Sequence, residues 1–405
     1  MPARRGPSRD NGQALRAFAM LAPSTSRWDI FCKVVDNYGD AGVCWRLARQ
    51  LAAEHGLAVT LWQDDLGALA RIAPGVDPAR EDQQAMGVTV RRWTEPFAKG
   101  VPADVVVEAV GCALPEHYVE AMAQAATAPR WFILEYLSAE AWVDNAHGLP
   151  SPHPRLALPR RFWFPGFTAN TGGLICERGL FAARDAFRRD DAAQRALWFS
   201  LGVAPPVPDE IRISLFCYPN PALPALLDAW SDGDDAVACL VPEGVATGAA
   251  DLWTAGDVPQ PGHPFRRGRL TLHAIPFVAQ DDYDRLLWSC SVNFVRGEDS
   301  FVRAQWAGRP CAWHIYPQAE GAHWGKLDAF VERYTSGLDP GTTAALAGFW
   351  RAWNGAPGAP PIDVAWREFA AARPAITRHA ERWAAKLAGL PDLASGLVKA
   401  ASARV

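Results

Sequence analysis

The sequence predicts two α/β domains in tandem, each a doubly wound and mostly parallel sheet, facing one another across a cleft. Three observations lead there. β-Branched and aromatic runs alternate with segments whose apolar residues recur at helical spacing. The alternation pauses after residue 184 and restarts near residue 211. A length of 405 residues also exceeds what one hydrophobic core usually supports.

The first strand is read from Trp28 to Val35, a β-branched and aromatic run. It is broken by Asp36-Asn37-Tyr38-Gly39-Asp40-Ala41-Gly42, and a helix follows in which Val43, Leu47, Ala48, Leu51 and Ala52 share one face. Ala58 to Trp62 and Val88 to Trp93 continue as strands. Val105 to Val110 is a continuous apolar run of the kind a parallel sheet buries on both faces. A stretch rich in proline and charge, Arg184 to Pro208, is expected to hold the inter-domain linker.

In the second half Ile211 to Cys217, Val237 to Val241, Leu270 to Ile275, Val292 to Val295 and Cys311 to Ile315 read as strands. Ala222 to Trp230, Gln280 to Ser289 and Phe301 to Ala307 read as the helices between them. The tail from Ile362 to Leu390 is rich in Ala, Trp and Arg and long enough, as a helix, to pack back across a neighbouring domain. The 18 tryptophans fall inside these elements, as core and interface anchors do.

Composition narrows the function classes. With 40 Lys+Arg against 44 Asp+Glu, the net charge of −4 gives no sequence-independent pull towards nucleic acid or anionic membrane. No run approaches the ~18 apolar residues of a membrane span, so a soluble protein is expected. Arg16 splits the apolar part of Met1 to Arg27, which reads as a disordered leader and not as a secretion signal. The eight cysteines are scattered and form no C-x-x-C, as buried thiols in a reducing cytoplasm would.

Ligands of open parallel sheets bind beyond the carboxyl ends of the strands, and two polar loops occupy that position. In Arg296-Gly297-Glu298-Asp299-Ser300, Arg296 and the free N–H groups of the next helix suit a diphosphate held without metal, and Gly297 lets backbone approach closely. Glu298 and Asp299 suit neutral partners such as sugar hydroxyls. Equally open is a helix cap at Asp299 or Ser300 with an Arg–Glu ion pair. In the first loop Asp36 and Asp40 flank a helix start that favours their ionised forms, as base, cation grip or cap. Asp232-Gly233-Asp234 falls at the amino edge of its sheet and reads as a solvated turn. His314 and His323 lack a carboxylate partner at helical spacing, so no metal site is expected. Hydrolase, P-loop, zincin and dinucleotide fingerprints do not occur.

Five blocks carry a resemblance: Asp36 to Arg49, Glu135 to Glu140, Ile275 to Gln280, Arg296 to Gln305 and Trp313 to Gln318. In this order they are similar to the bacterial EarP family of protein-arginine rhamnosyltransferases, which modify elongation factor P. The likeness runs from about Trp28 to the end and departs at the leader and at Ala41. It implies a GT-B glycosyltransferase with TDP-β-L-rhamnose as donor, elongation factor P as acceptor, inversion at the anomeric carbon and no cofactor. It implies an acceptor-binding domain over residues 28–185 after the leader at 1–27, a nucleotide-sugar domain over 205–365, and helices over 366–405 that pack back on the N-terminal domain. Asp40 becomes the base, Asp36 positions the acceptor, and Glu298 supports the sugar or the developing charge. Arg296, Asp299 and Ser300 hold the donor, with Tyr218, Phe277, Gln280 and Gly39 beside it. The rival readings are a GT-B enzyme with a lipid or polysaccharide acceptor, and a non-catalytic module that binds a translation factor. The first calls for a basic or apolar membrane-facing patch, and the second would not need carboxylates at 36, 40 and 298.

Overall fold

The computed structural model describes residues 25–36, 38–97, 100–245, 253–254, 256 and 259–403. Of the expected leader, residues 1–24 lie outside the described residues, as do residues 404–405 of the tail.

The N-terminal sheet holds seven strands: β1 (Arg27–Cys32), β2 (Ala58–Gln63), β3 (Asp82–Ala85), β4 (Val88–Arg92), β5 (Val105–Ala109), β6 (Arg130–Leu134) and β7 (Arg160–Trp163). Their order is β3-β4-β2-β1-β5-β6-β7, parallel except for the β3–β4 edge pair. The chain winds from β1 to one side and returns through β5 on the other. Helix α1 (Gly39–His55) follows β1 directly and buries Cys44, Trp45, Leu47, Ala48 and Leu51. β1 is shorter than the sequence predicts because its last amides leave the ladder: Val34 N–H donates to Asp64 Oδ1 at 3.0 Å and Val35 N–H to Asp40 at 2.8 Å.

The C-terminal sheet has six strands: β8 (Ile211–Leu215), β9 (Val237–Pro242), β10 (Phe265–Arg267), β11 (Leu270–Ile275), β12 (Val292–Arg296) and β13 (Cys311–His314). The order β10-β11-β9-β8-β12-β13 again reverses beside the first strand, between β8 and β12. The intervening helices include α7 (Leu223–Asp232), α8 (Gln280–Ser289) and α9 (Asp299–Ala307), followed by α10 (His323–Thr335) and α11 (Pro340–Trp353). The two facing α/β sheets are those the sequence predicts.

Two expectations about the connections are corrected. Arg184 to Pro208, expected to hold the inter-domain linker, lies largely in helices α5 (Leu180–Arg189) and α6 (Asp191–Ser200), whose Phe187, Leu197 and Trp198 are buried in the C-terminal core. Their apolar face outweighs the proline and charge at the ends of the stretch. The tail also divides. Helix α12 (Ile362–Ala388) stays with the C-terminal sheet, where Trp366 and Phe369 pack on Phe349 with ring centroids 5.4 and 4.6 Å away. Only α13 (Leu393–Ser402) sits in the N-terminal core, through Leu393, Ala394 and Leu397. Gly173 lets the crossing chain pass: at φ +76°, a Cβ there would stand 2.1 Å from the Pro391 carbonyl oxygen.

Leu397 is wholly buried against the N-terminal core. Leu397→Ala is expected to cost about 2–5 kcal/mol in urea unfolding, mostly as cavity and lost transfer energy. A loss below about 0.5 kcal/mol, the scale of an ordinary surface change, would show that α13 is dispensable to that core.

Candidate active site

Both sheets present loops at their switch points, and these loops meet. The β1–α1 loop brings Asp36 and Asp40, the β8 end brings Tyr218, and the β12–α9 loop brings Arg296, Gly297, Glu298, Asp299 and Ser300. One cavity of about 50 Å³ is lined by Asp36, Gly39, Phe277, Gln280, Arg296 and Ser300, among others. A second, of about 210 Å³, is lined by Asp36, Gly39, Asp40, Tyr136, Glu298 and Lys326, among others. Asp36 and Gly39 belong to both, so the two cavities adjoin at the β1–α1 loop.

Asp40 does not cap its own helix. Its Oδ2 accepts the amides of Val35 (2.8 Å) and Asp36 (2.9 Å), which fixes the loop in front of the helix. Among the described residues no donor is paired with Oδ1. Asp36 Oδ2 accepts the Tyr218 hydroxyl at 2.6 Å from the opposite domain. That approach needs Gly297, at φ +58°, where a Cβ would lie 2.4 Å from the same carboxylate oxygen. Glu298 occupies the N-cap position of α9 without a side-chain cap and instead accepts the Leu137 amide at 3.0 Å, after β6. Neither the Asp299 nor the Ser300 cap left open by the sequence is formed. Ser300 Oγ is bonded to the backbone N–H and carbonyl of Arg296, closing the strand end (3.0 and 2.5 Å).

The electrostatics follow from this packing. Burial pushes the Asp36 carboxyl above its ordinary range, Tyr218 and Arg296 oppose it, and Asp40 adds to it. Burial likewise raises Asp40 against the pull of its two amides. Glu298 is pushed up to about 8, by burial first and then by Asp40 and Asp36, with the Leu137 amide and Lys326 opposing. Opposite this acidic cluster, the Arg296 guanidinium lies 4.4 Å from the Phe216 ring centroid and 4.7 Å from that of Tyr218, and donates to the Cys217 carbonyl (3.2 Å). Phe277 faces Tyr38 at 4.8 Å and carries Arg71 over its other side at 4.9 Å.

Nine of the ten sequence-predicted site residues therefore line the two adjoining cavities and Tyr218 stands behind Asp36, but Asp299 and Gln280 are largely occupied. Asp299 Oδ1 accepts Arg46 Nε and Oδ2 accepts Gln280 Nε2, both at 2.9 Å. Gln280 Nε2 also donates to the Gly42 carbonyl at 3.1 Å. Sequence reasoning missed Lys326, Tyr136 and Arg46. Tyr136 and Arg46 stand inside the blocks that carry the resemblance, whereas Lys326 sits in α10 with no local signal. Among the described residues no cluster suited to a metal ion occurs, and no helix is long and apolar enough to cross a membrane.

Known proteins resemble this chain in sequence and fold. A family model described as the elongation factor P (EF-P) rhamnosyltransferase EarP matches residues 28–402. A protein-arginine rhamnosyltransferase of Pseudomonas putida is 52% identical over 373 residues, covering 92% of this chain and 97% of its own. Its counterpart in Pseudomonas aeruginosa is 49% identical, with 92% and 98% covered. A solved structure concerned with EarP-mediated arginine glycosylation of translation elongation factor EF-P superposes with a TM-score of 0.64 at 38% identity, over 93% of this chain and 98% of that one. The glycosyltransferase of kitacinnamycin, at 12% identity and a TM-score of 0.50 over 94% and 98%, shares the two-domain GT-B fold alone. With a matching family model over nearly its whole length and relatives at about half identity, this chain belongs to the EarP family of EF-P rhamnosyltransferases.

Proposed function

We propose that the enzyme transfers L-rhamnose from TDP-β-L-rhamnose to an arginine side chain of elongation factor P, with inversion at the anomeric carbon. The observation that carries this reading is that a cavity lined by Asp36, Asp40 and Glu298 adjoins one lined by Arg296, with Asp36 and Gly39 common to both. A guanidinium fits the acidic side and a nucleotide diphosphate fits the side of Arg296, so one sugar spans the junction. The eight cysteines stand free, in keeping with a cytoplasmic site of action.

Arginine is a poor nucleophile because its charge is delocalised and its pKa lies above ~12. In this mechanism Asp36 and Asp40 accept N–H groups of the guanidinium, so that a third nitrogen faces the anomeric carbon. Asp40 takes the proton as the new C–N bond forms and the C–O bond to the diphosphate breaks. Glu298 supports the charge that develops on the sugar ring. Arg296 stabilises the departing diphosphate, aided by the N-terminus of α9, the kind of preorganised charge worth about 3 kcal/mol per donor in well-studied enzymes. A cationic acceptor entering the cluster favours the ionised forms of carboxylates that burial otherwise raises.

Incubation with elongation factor P and TDP-rhamnose, followed by mass spectrometry, should add one deoxyhexose to an arginine; an unmodified factor would refute the reading. Asp40→Asn should lower kcat by about 10²–10⁴-fold, because the amide still accepts the Val35 and Asp36 N–H groups but cannot take a proton. Near-normal turnover would remove Asp40 from the mechanism.

Arg296→Ala should weaken TDP binding roughly 10- to 100-fold in calorimetry, the loss of one charge-assisted contact. Unchanged affinity would count against the diphosphate clamp.

Glu298 makes a pH prediction for the free enzyme. A carboxyl raised in the folded state binds a proton that the unfolded chain has released, so its contribution to stability is lost as pH rises towards about 8. Glu298→Gln keeps an oxygen for the Leu137 amide and carries no charge. Its melting temperature relative to wild type should therefore climb between about pH 5 and pH 9. A pH-independent difference would mean that Glu298 titrates normally.

A further inference from the structure

Asp299 poses an electrostatic problem. Its side chain lines the same cavity as Arg296 and Ser300, the groups proposed to receive the donor's diphosphate, and a bare carboxylate there would repel the ligand. The carboxylate is not bare. Arg46 Nε holds one oxygen at 2.9 Å and Gln280 Nε2 holds the other at 2.9 Å.

Arg46 comes from α1 of the opposite domain and is 1% exposed. Its remaining nitrogens reach Glu177 (3.2 Å), both oxygens of Asp284 (3.2 and 3.3 Å) and the Gln280 carbonyl (3.3 Å). Gln280 is turned by α1 as well, since its amide donates to the Gly42 carbonyl. A Cβ at position 42 would lie 2.9 Å from both Asp299 Oδ2 and Gln280 Nε2, so the first turn of α1 presses directly on this pair. The neighbouring buried Arg303 is committed to Asp284 and Glu177 and donates no hydrogen bond to Asp299. Among the described residues Arg46 alone is ion-paired with that carboxylate, and Arg303 acts on it only through space.

We infer that Arg46 is a positioning residue for the donor: it screens and turns Asp299 so that the cavity in the C-terminal domain accepts a diphosphate. Donor affinity then depends on the N-terminal domain lying against the C-terminal one, although Arg46 itself lines neither of the two cavities. The inference rests on the proposed donor chemistry, because it needs an anion beside Arg296.

The test is titration of the full-length enzyme with TDP, by calorimetry, and with thymidine, by ligand-observed NMR. Thymidine carries the base without phosphates. Arg46→Gln should weaken TDP binding roughly 10- to 100-fold and leave thymidine binding unchanged, because the unmasked carboxylate acts on charge. Adding Asp299→Asn to Arg46→Gln removes that anion and should restore most of the lost TDP affinity. If Arg46→Gln does not fold, Arg46→Lys with and without Asp299→Asn carries the same comparison, since lysine keeps a charge but loses the fork that reaches all three carboxylates. Parallel losses for TDP and thymidine, or no recovery in the double variant, would overturn the inference and leave Arg46 a structural residue. A wild-type enzyme that failed to bind TDP would instead overturn the donor assignment.

Discussion

The two halves of the molecule are joined by charge buried between them, and the site depends on that junction. Arg46 and Arg303, 1% and 2% exposed, share Glu177 on the connecting segment and Asp284 on α8, and Arg46 reaches Asp299 on α9 as well. Removing five charged groups from water is expensive and is offset only where nearly every N–H finds an oxygen. The planar guanidinium makes that possible, since one fork can address several acids at fixed angles. Burial raises Glu177, but the two arginines overcome it and hold its carboxyl at about 2. Relative to an apolar seam, such a cluster fixes one relative placement of the two sheets, because any slip strands a buried charge.

That placement is used twice at the cleft, with a glycine each time. Gly42 of the N-terminal domain leaves room for Asp299 and Gln280 of the C-terminal domain, and Gly297 of the C-terminal domain leaves room for Asp36 of the N-terminal one. Each loop receives a side chain from the other. The Tyr218–Asp36 hydrogen bond thus stands where the two cavities adjoin, and the Arg46–Asp299 ion pair stands at the wall of the one that Arg296 lines. Aromatic stacking backs the second loop: Trp313 lies flat on Phe301 at 4.0 Å and donates its indole N–H to the Gly297 carbonyl (2.8 Å). The side chains of the candidate site are therefore carried by short loops clamped by packed elements, the arrangement that preorganised charge requires.

The unliganded cleft is poised unfavourably for its own carboxylates. Asp36, Asp40 and Glu298 are all raised, each first by burial. A cation brought beside these carboxyls would offset that cost, since a neighbouring positive charge favours their ionised forms. The Arg296 side has the opposite bias. Its guanidinium is stacked over Phe216 and Tyr218 and bonded to one backbone carbonyl, which leaves capacity for an anion.

Much of this architecture was legible in the residues themselves. Apolar and aromatic runs mark β1 and β8 as strands, helical spacing marks α1 and α9, and the switch-point rule locates the two polar loops. The block from Arg296 to Gln305 carried the family. What the sequence by itself could not determine are the pairings between the two sheets: Tyr218 lies 182 residues from Asp36, and Arg46 lies 253 from Asp299. A linear pattern records the face a side chain shows and not the partner it meets, because the partner depends on how two separately patterned sheets dock. The same reason hid Lys326, the helices read as a linker, and the division of the tail between the two domains. It also hid the raised carboxyls: a carboxyl's burial and its neighbours are properties of the assembled cleft, and the tertiary structure alone decided them.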